Sequence, residues 1–415
     1  MTFVPWVADP GLSVSGVLDR GLRGGRPHLR LASPLLARCA KANAAVYVTV
    51  MGALNAAVRA RGREAAADDL VAAARSLERD LHGPFAAAHD VKCMAKIDYK
   101  IGGDGRPVMV DLNAGLIGAR FDDDLLAGDL ADLARPGVHV AARLARAIVE
   151  VAAVSRGAVP RRAALVVLDE QMYETWRSDD IAGLLVELGA AAKARGAQLE
   201  PPPVLTMASL VDYARHVDEP GWSPPVLGDE PWRGTPDVVV FYTGRIGQVA
   251  DAAAFESLRR AGIALVDERH HALLATKAMA DPRFMPPGLL SDVAAPEVVD
   301  VGCVGECTAD VAGPLEMTWS WASGRHEALA IKIEKARRGA GPGDHATAFI
   351  YPVTEVGRRV AERQLVRATG RLCDDGWGDL SMNASPVDLS GGLVCDDRRY
   401  DVEMRTYVFP CLRGR

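Results

Sequence analysis

The clearest candidates for binding or catalysis lie in one short segment, Lys96–Gly115, with the sequence KIDYKIGGDGRPVMVDLNAG. Two alternating apolar stretches flank a Gly-Asp-Gly turn, which predicts a β-hairpin. Asp98 lies on the first strand, and Asp111 and Asn113 lie on one face of the second, because side chains alternate with a period of two. Carboxylate and amide oxygens are ligands that Mg²⁺ prefers. The hairpin therefore predicts a magnesium site, with a solvated acidic turn as the alternative.

A second candidate combines a strand lysine with a glycine-rich loop. The segment LAIKIEK predicts a strand that carries Lys332, and RRGAGPGDH follows it. A lysine can contact a nucleotide phosphate as a point charge, and the N–H groups of a loop without Cβ atoms can wrap around phosphates. Gly339, Gly341 and Gly343 are therefore candidate phosphate ligands, and a flexible surface loop is the alternative. The segment is neither a Walker A sequence nor a G-x-G-x-x-G fingerprint.

Two further cations could face a bound anion. Lys277 lies in an otherwise apolar helical segment that ends at Pro286 and Pro287, where a lysine usually extends to solvent. Arg405 lies in the alternating segment YDVEMRTYVFP. An inward-facing guanidinium there could hold a phosphate or a carboxylate through two hydrogen bonds. A salt bridge with Glu403 is the alternative for Arg405.

The middle of the chain predicts the scaffold, a parallel sheet covered by helices. Short, fully apolar stretches alternate with helical segments between residues 161 and 267, as they do in α/β units. We predict strands in AALVVLDE, AQLEPPPV, PDVVVFYT and IALVD, and helices over Asp179–Arg195 and AAAFESLRRAG. The proline-rich interval Glu219–Pro236 is predicted to be a long surface excursion.

N-terminal to the α/β unit, we predict a loop followed by helices. Residues 1–30 are rich in glycine, proline and arginine and are predicted to form a loop. Apolar residues spaced by three and four predict helix from Pro34 to Leu81. An Ala/Val-rich helix is predicted over His139–Ser155.

The composition limits the classes of function. The chain has 415 residues, enough for two or three domains, and a formal net charge of −6, which argues against nucleic acid as the main partner. No apolar run approaches the roughly 20 residues that span a bilayer, and the N-terminus lacks the pattern of a signal peptide. The seven cysteines are scattered and odd in number, which favours reduced thiols and a cytoplasmic location.

The order of these pieces resembles the circularly permuted branch of the ATP-grasp superfamily, which includes the synthetase domain of glutathionylspermidine synthase and related carboxylate–amine ligases. In that branch the acidic hairpin precedes the α/β domain and the two lysines. The resemblance implies an α/β fold with α+β lobes, a permuted ATP-grasp with a pre-ATP-grasp-like parallel α/β domain. It divides the chain into the N-terminal helices with the metal hairpin (1–120), a helical connector (121–160), the α/β domain (161–269) and the ATP-binding lobe (270–415).

The resemblance also gives each candidate residue a role. It implies that Arg405 and Lys332 are catalytic, with Arg405 facing the phosphoryl group in transfer. Gln364, in the segment AERQLVRA, falls where the family's hinge strand meets the adenine. The residues that it implies for ATP binding are Lys277, Lys332, Gly339, Gly341 and Gln364, and those for Mg²⁺ are Asp98, Asp111 and Asn113.

The implied activity is that of an ADP-forming carboxylate–amine ligase that works through an acyl phosphate, with ATP and Mg²⁺ as cofactors. Its partners would be a small carboxylate and an amine, whether amino acid, peptide or carrier-bound, and the sequence leaves their identity open. A homodimer is the commonest assembly. Three family positions differ, because Asp111 replaces a glutamate, Thr276 an asparagine and Ile333 a proline. The alternative is therefore a non-catalytic ATP-binding or scaffold protein with a degenerate ATP-grasp fold.

Overall fold

The structure, a computed structural model, describes residues 6–8, 13–19, 33–61, 93–114, 140–176, 181–242, 252–267, 299–304, 311–337, 345–374, 377–387, 393–395, 398–400 and 402–412. The strands in chain order are β1 (Trp6–Ala8), β2 (Ser13–Asp19), β3 (Ala95–Ile101), β4 (Pro107–Ala114), β5 (Ala163–Val167), β6 (Val204–Thr206), β7 (Val238–Phe241), β8 (Ala264–Val266), β9 (Val299–Val304), β10 (Ala328–Arg337), β11 (His345–Pro352), β12 (Trp377–Val387), β13 (Leu393–Cys395), β14 (Arg398–Tyr400), β15 (Val402–Val408) and β16 (Pro410–Leu412). The helices are α1 (Ser33–Arg61), α2 (Val140–Arg156), α3 (Glu170–Trp176), α4 (Ala182–Ala194), α5 (Met207–Arg215), α6 (Ala252–Arg260), α7 (Ala312–Ala322) and α8 (Glu355–Asp374).

Within these residues the fold is mixed α/β, with a parallel sheet and several antiparallel sheets. The four-stranded sheets are β6-β5-β7-β8, β2-β15-β3-β4 and β11-β10-β12-β9, and β1 with β16 and β13 with β14 form two-stranded ladders. Among the helices described, none combines the length and the apolarity that crossing a bilayer requires.

The parallel sheet, β6-β5-β7-β8, confirms the α/β unit predicted between residues 161 and 267. Its two central strands, β5 and β7, are buried along their whole length. Both faces of the sheet are covered, so successive side chains of a strand pack in two different cores, one on each face. Leu165 packs in the core that includes residues of α2 and α4, whereas Val166 packs in the core that includes residues of α5 and α6.

One strand of this sheet lies later in the sequence than predicted. β6 begins at Val204, after three prolines, because proline has no N–H to donate to a ladder. The prediction of a strand in AQLEPPPV that stops at the prolines is therefore wrong, because the strand begins where the prolines end. Pro203 still supplies its carbonyl oxygen, which accepts a hydrogen bond from the N–H of Leu165 at 3.0 Å.

The antiparallel sheet β2-β15-β3-β4 joins segments that are distant in sequence. The predicted hairpin of β3 and β4 is confirmed, and its turn is closed by a 2.9 Å hydrogen bond from the Gly105 N–H to the Gly102 carbonyl. Gly105 has a φ of 74°, which glycine adopts without steric cost. β2 falls inside residues 1–30, so the prediction of a loop is wrong for Ser13–Asp19, which pair with β15.

The remaining four-stranded sheet, β11-β10-β12-β9, is antiparallel and carries helices α7 and α8 on one face. β10 is the predicted lysine-bearing strand and lies between β11 and β12. Ile331 and Ile333 are fully buried in a core with Leu315 of α7 and Leu365 of α8. Alternation along β10 therefore leaves position 332 on the opposite face.

Candidate functional site

A row of charged positions crosses the sheet β2-β15-β3-β4. Asp98 of β3 is directly opposite Asp111 of β4 on one side and Arg405 of β15 on the other. Residues directly opposite each other in antiparallel strands share a face, with Cβ atoms about 4.5–5.5 Å apart. The sheet thus brings an arginine from the end of the chain onto the same face as two acids from its first third.

The next row on this face adds a second cationic position. Lys96, two residues before Asp98, is opposite Asn113 of β4 and Tyr407 of β15. The ammonium of Lys96 lies 3.9 Å from Asp98 Oδ2, and the two side chains are only 11% and 3% exposed. Like charges placed directly opposite each other in a sheet are destabilising, so a cationic neighbour offsets part of the repulsion between these two positions.

Irregularities of the sheet flank the charged row on both sides. The register of β3 and β4 shifts just after the Asp98–Asp111 pair, because Val110 has no counterpart in β3. The register of β15 and β2 shifts around Arg405, where Ser15 and Gly16 together face a single residue. Bulges bend a strand and re-aim its side chains, and they are common beside active sites. Their coincidence with this row marks it as the candidate functional site.

The donor chemistry of this face fits Mg²⁺. Asp98 and Asp111 are carboxylate residues at paired positions of adjacent strands, and Asn113 is an amide residue two positions beyond Asp111 in β4. The fit rests on residue type and register, since among the described side chains no three His, Cys, Asp or Glu residues form a metal-binding group.

A chain of buried hydrogen bonds fixes the back of this sheet to α1. The Tyr99 hydroxyl donates to Asn43 Oδ1 at 2.8 Å, Asn43 Nδ2 donates to Thr406 Oγ1 at 2.9 Å, and Thr406 Oγ1 donates to the carbonyl oxygen of Ile97 at 2.8 Å. All four residues are buried. Burial raises the pKa of Tyr99 well above its ordinary value, so its hydroxyl stays protonated and remains a donor. The chain fixes β3 and β15, the two strands that carry Asp98 and Arg405, in one register.

Replacing Thr406 with valine is expected to lower the free energy of unfolding by about 2–3 kcal/mol, because Ile97 loses its donor and Asn43 its acceptor inside the core. Thr406→Ser keeps the hydroxyl, loses one methyl group and is expected to cost only about 1 kcal/mol. Urea unfolding of the three proteins measures both values. A valine variant as stable as the serine variant would show that the hydrogen-bond chain contributes nothing.

The carboxyl edge of the parallel sheet adjoins the start of β3. Asp267 directly follows β8, is 4% exposed, and has a φ of 59°, which is uncommon for a residue other than glycine. Its two carboxylate oxygens accept from the N–H of Cys93 at 3.2 and 3.3 Å. Open α/β sheets bind ligands at the carboxyl ends of their strands. The segment that leads into β3 therefore lies beside the carboxyl edge of the parallel sheet.

Sequence reasoning missed both Asp267 and Lys96 as members of this region. Asp267 is the acid that ends IALVD, and an acid directly after a parallel strand is a signal that the sequence does carry. Lys96 shares a strand face with Asp98 by the same period of two that was applied to Asp111 and Asn113. The register of β3 shows which positions lie opposite Lys96, and the hydrogen bonds from Cys93 show where Asp267 lies. Neither contact is visible in the sequence.

Lys332 lies in a different sheet from the acids. It occupies the middle of β10, opposite Ala348 of β11 and Asn383 of β12. Alternation with the buried Ile331 and Ile333 places position 332 on the face of β10 away from α7 and α8. The other predicted phosphate ligands, Lys277, Gly339, Gly341 and Gly343, lie outside the described residues, so their roles stay predictions.

The prediction of a hinge strand at AERQLVRA is wrong. These residues belong to helix α8, whose buried positions Ala361, Leu365 and Thr369 recur every four residues. Helical periodicity decides the local structure here. Gln364 lies on the exposed side, and its Oε1 accepts a hydrogen bond from the Tyr351 hydroxyl at 3.0 Å. Its predicted contact with adenine would therefore have to be made from a helix.

The described residues thus place Asp98, Asp111, Asn113 and Arg405 on one face of one sheet and Lys332 at the centre of another. Comparison with known proteins adds nothing to this picture: no protein-family model matches the chain, and no curated protein matches its sequence. The function is therefore argued from the residues themselves.

Proposed function

We propose that this protein is an ATP-dependent carboxylate–amine ligase with a circularly permuted ATP-grasp arrangement. The observation that carries the proposal is the row Asp111–Asp98–Arg405 across β4, β3 and β15. A permuted enzyme of this class needs its early acids and its late arginine around one triphosphate. Antiparallel pairing of the last long strand with the early hairpin meets that requirement.

The acidic residues and the arginine have complementary tasks in this proposal. Asp98, Asp111 and Asn113 would hold Mg²⁺, which when bound neutralises charge on the terminal phosphates. Arg405 would hold two oxygens of the phosphoryl group in transfer, since a guanidinium matches a phosphate through paired hydrogen bonds. Phosphoryl transfer depends chiefly on positioning and charge neutralisation, so this set is sufficient without a nucleophilic side chain.

The sheet β11-β10-β12-β9 would hold the phosphates of ATP that are not transferred. Lys332 contributes a point charge from the face of β10 away from the helices, and Lys277, Gly339 and Gly341 are the predicted additional contacts. Gln364 is not among the proposed nucleotide contacts. It belongs to α8, and its side-chain oxygen accepts a hydrogen bond from the Tyr351 hydroxyl.

The substrates would meet at the carboxyl edge of the parallel sheet, beside Asp267 and the start of β3. A carboxylate oxygen attacks the γ-phosphorus of ATP, and ADP leaves with the electrons of the broken P–O bond. The nitrogen of the amine then attacks the acyl carbon, the amide bond forms, and inorganic phosphate and a proton are released. Exclusion of water protects the acyl phosphate from hydrolysis.

The test is a turnover assay with the full-length protein, ATP, MgCl₂ and a panel of carboxylic acids crossed with amines, in which ADP, phosphate and new amides are measured. We expect ADP formation that depends on both an acid and an amine. Asp111→Asn is expected to reduce it about 100-fold or more, because one metal-holding charge is lost. Asp104→Asn is the matched control, since Asp104 lies in the exposed turn of the same hairpin and bonds to Arg106.

Two outcomes would contradict parts of the proposal. Equal turnover by wild type and Asp111→Asn would reject the assigned site. Stabilisation of the protein by ATP and MgCl₂ in a thermal-shift titration, without ADP from any pair in the panel, would instead favour a non-catalytic ATP-binding protein.

A further inference from the structure

A cleft at the amino-terminal edge of the parallel sheet has no part in the proposed ligase chemistry. Its volume is about 410 Å³, within the roughly 300–1,000 Å³ of small-molecule sites. It is lined by the last turn of α5 and by the proline-rich segment that leads into β7, with Tyr213, Trp222, Trp232 and Thr235 among its residues. Ligands of open α/β sheets bind at the carboxyl ends of the strands, so this cleft is a separate site.

Three aromatic rings contribute to the walls of the cleft. The ring centroid of Tyr213 lies 4.7 Å from that of Trp232 with an interplanar angle of 62°, and 6.0 Å from that of Trp222 with an angle of 30°. His216 stacks on Trp222 at 4.8 Å and 12°, which fixes the plane of the indole. Burial raises the pKa of Tyr213, so its ring stays a neutral phenol. The faces of such rings attract cations.

The electrostatics of the cleft also favour a cation. Asp218 and Glu219 are exposed members of the lining, and within the lining that the structure describes there is no lysine or arginine. Helix α5 ends here, with the N–H of His216 donating to the carbonyl oxygen of Tyr213 at 3.0 Å. The C-terminal end of a helix carries a partial negative charge.

Two arginines border the cleft but are not among its lining residues. Arg233 pairs with Glu230 at 3.5 Å, and Arg162, whose charge also acts on Tyr213, approaches Gly234 and lines a second, much narrower cleft. The larger cleft therefore combines aromatic walls, two carboxylates and a helix C-terminus.

We propose that this cleft binds a small organic ammonium ion, of the quaternary or tertiary kind. Aromatic faces and diffuse negative charge suit an alkylated ammonium, which is large and weakly hydrated, better than a bare metal cation. The predicted surface excursion over Glu219–Pro236 is thus a wall of a binding site, in which Trp222 and Trp232 lie half-buried against the core of the parallel sheet.

The test uses choline chloride and its neutral carbon isostere, 3,3-dimethylbutan-1-ol, titrated into the full-length protein at constant ionic strength. Isothermal titration calorimetry and tryptophan fluorescence report binding. We expect choline to saturate the site in the millimolar range or below and to bind about 10-fold or more tightly than the isostere, since they differ only in charge. No saturation by about 100 mM choline, or equal affinity for the two probes, would overturn the proposal.

Variants then assign the binding to this cleft. Trp222→Leu is expected to weaken choline binding about 10-fold, whereas Trp222→Phe keeps an aromatic face and most of the affinity. Should Trp222→Leu fail to fold, the exposed pair Asp218→Asn with Glu219→Gln gives an independent test, with an expected loss of several-fold in affinity. Asp229→Asn, an exposed acid outside the lining, is the matched control. Affinity unchanged in both the tryptophan and the double-acid variants would place the choline site elsewhere and overturn the assignment.

This experiment measures binding without ATP, so its result is independent of the ligase proposal. Turnover with no choline binding would reject only the cleft proposal. Choline binding by a protein that forms no ADP would reject only the ligase.

Discussion

Replacing Arg195 with leucine is expected to lower the free energy of unfolding by about 3 kcal/mol, because it leaves the Glu150 carboxylate buried without its cation. Arg195 caps the end of α4, and its Nη2 lies 2.6 Å from Oε1 of Glu150 in α2. Glu150 is 5% exposed, and its Oε2 has no hydrogen-bond partner among the described residues. The carboxylate therefore depends heavily on this guanidinium.

Urea unfolding measures the effect, and a double variant separates its causes. Arg195→Leu with Glu150→Leu removes both charges and is expected to recover most of the lost stability, since apolar replacements of a buried pair are often neutral. Arg233→Leu is the matched control, because its pair with Glu230 is roughly half exposed and such pairs contribute about 0–1 kcal/mol. A single variant as stable as the double variant would show that Glu150 tolerates its isolation.

Local sequence pattern was sufficient to predict an element where short-range or strongly apolar sequence decides its structure. The parallel strands β5 and β7 were predicted from their uninterrupted apolar runs. A strand that is buried on both faces has apolar residues at successive positions rather than at alternate ones. The hairpin of β3 and β4 follows from alternation around Gly102–Gly105, and its acids fall on the predicted strands. These features were predictable because each is encoded in one short, continuous segment of the chain.

Long-range pairing was not predictable in the same way. Ser13–Asp19 becomes a strand because β15, almost 400 residues later, supplies its ladder. The contact between Asp267 and the backbone of Cys93 likewise joins two segments that share no local signal. The order of motifs predicted that acids from the first third of the chain and cations from its end share one site. The pairing of β15 with β3, and the register that places Arg405 opposite Asp98, appear only in three dimensions.

The helix at Gln364 shows a different kind of error. The spacing of Ala361, Leu365 and Thr369 is helical, and Glu355 begins the segment with hydrogen bonds from Arg358 and Arg359, as expected in a first helical turn. The hinge strand implied by the family resemblance conflicts with this periodicity. Where the two disagree, the periodic signal is the more direct evidence about local structure.

Replacing Arg405 with lysine is expected to reduce turnover in the proposed ligase reaction about 100- to 1,000-fold, with a smaller effect on ATP affinity. Lysine keeps the positive charge opposite Asp98 but cannot form two parallel hydrogen bonds to a phosphoryl group. A group that acts mainly on the phosphoryl group in transfer stabilises the transition state more than bound ATP, so the loss should appear in kcat rather than in KM. Steady-state ADP formation at varied ATP concentration separates the two parameters.

The same substitution at Arg106 provides the control, because Arg106 lies in the turn of the same hairpin and pairs with the exposed Asp104. Arg106→Lys should leave kcat within about twofold of wild type, since an exposed ion pair contributes little to stability or to the site. If Arg405→Lys lowered kcat no more than Arg106→Lys, the arginine would be a structural counterion for Asp98 rather than a catalytic residue. The charged row would then stabilise the antiparallel sheet, and the phosphoryl group would have to be held by the lysine-bearing sheet of β10.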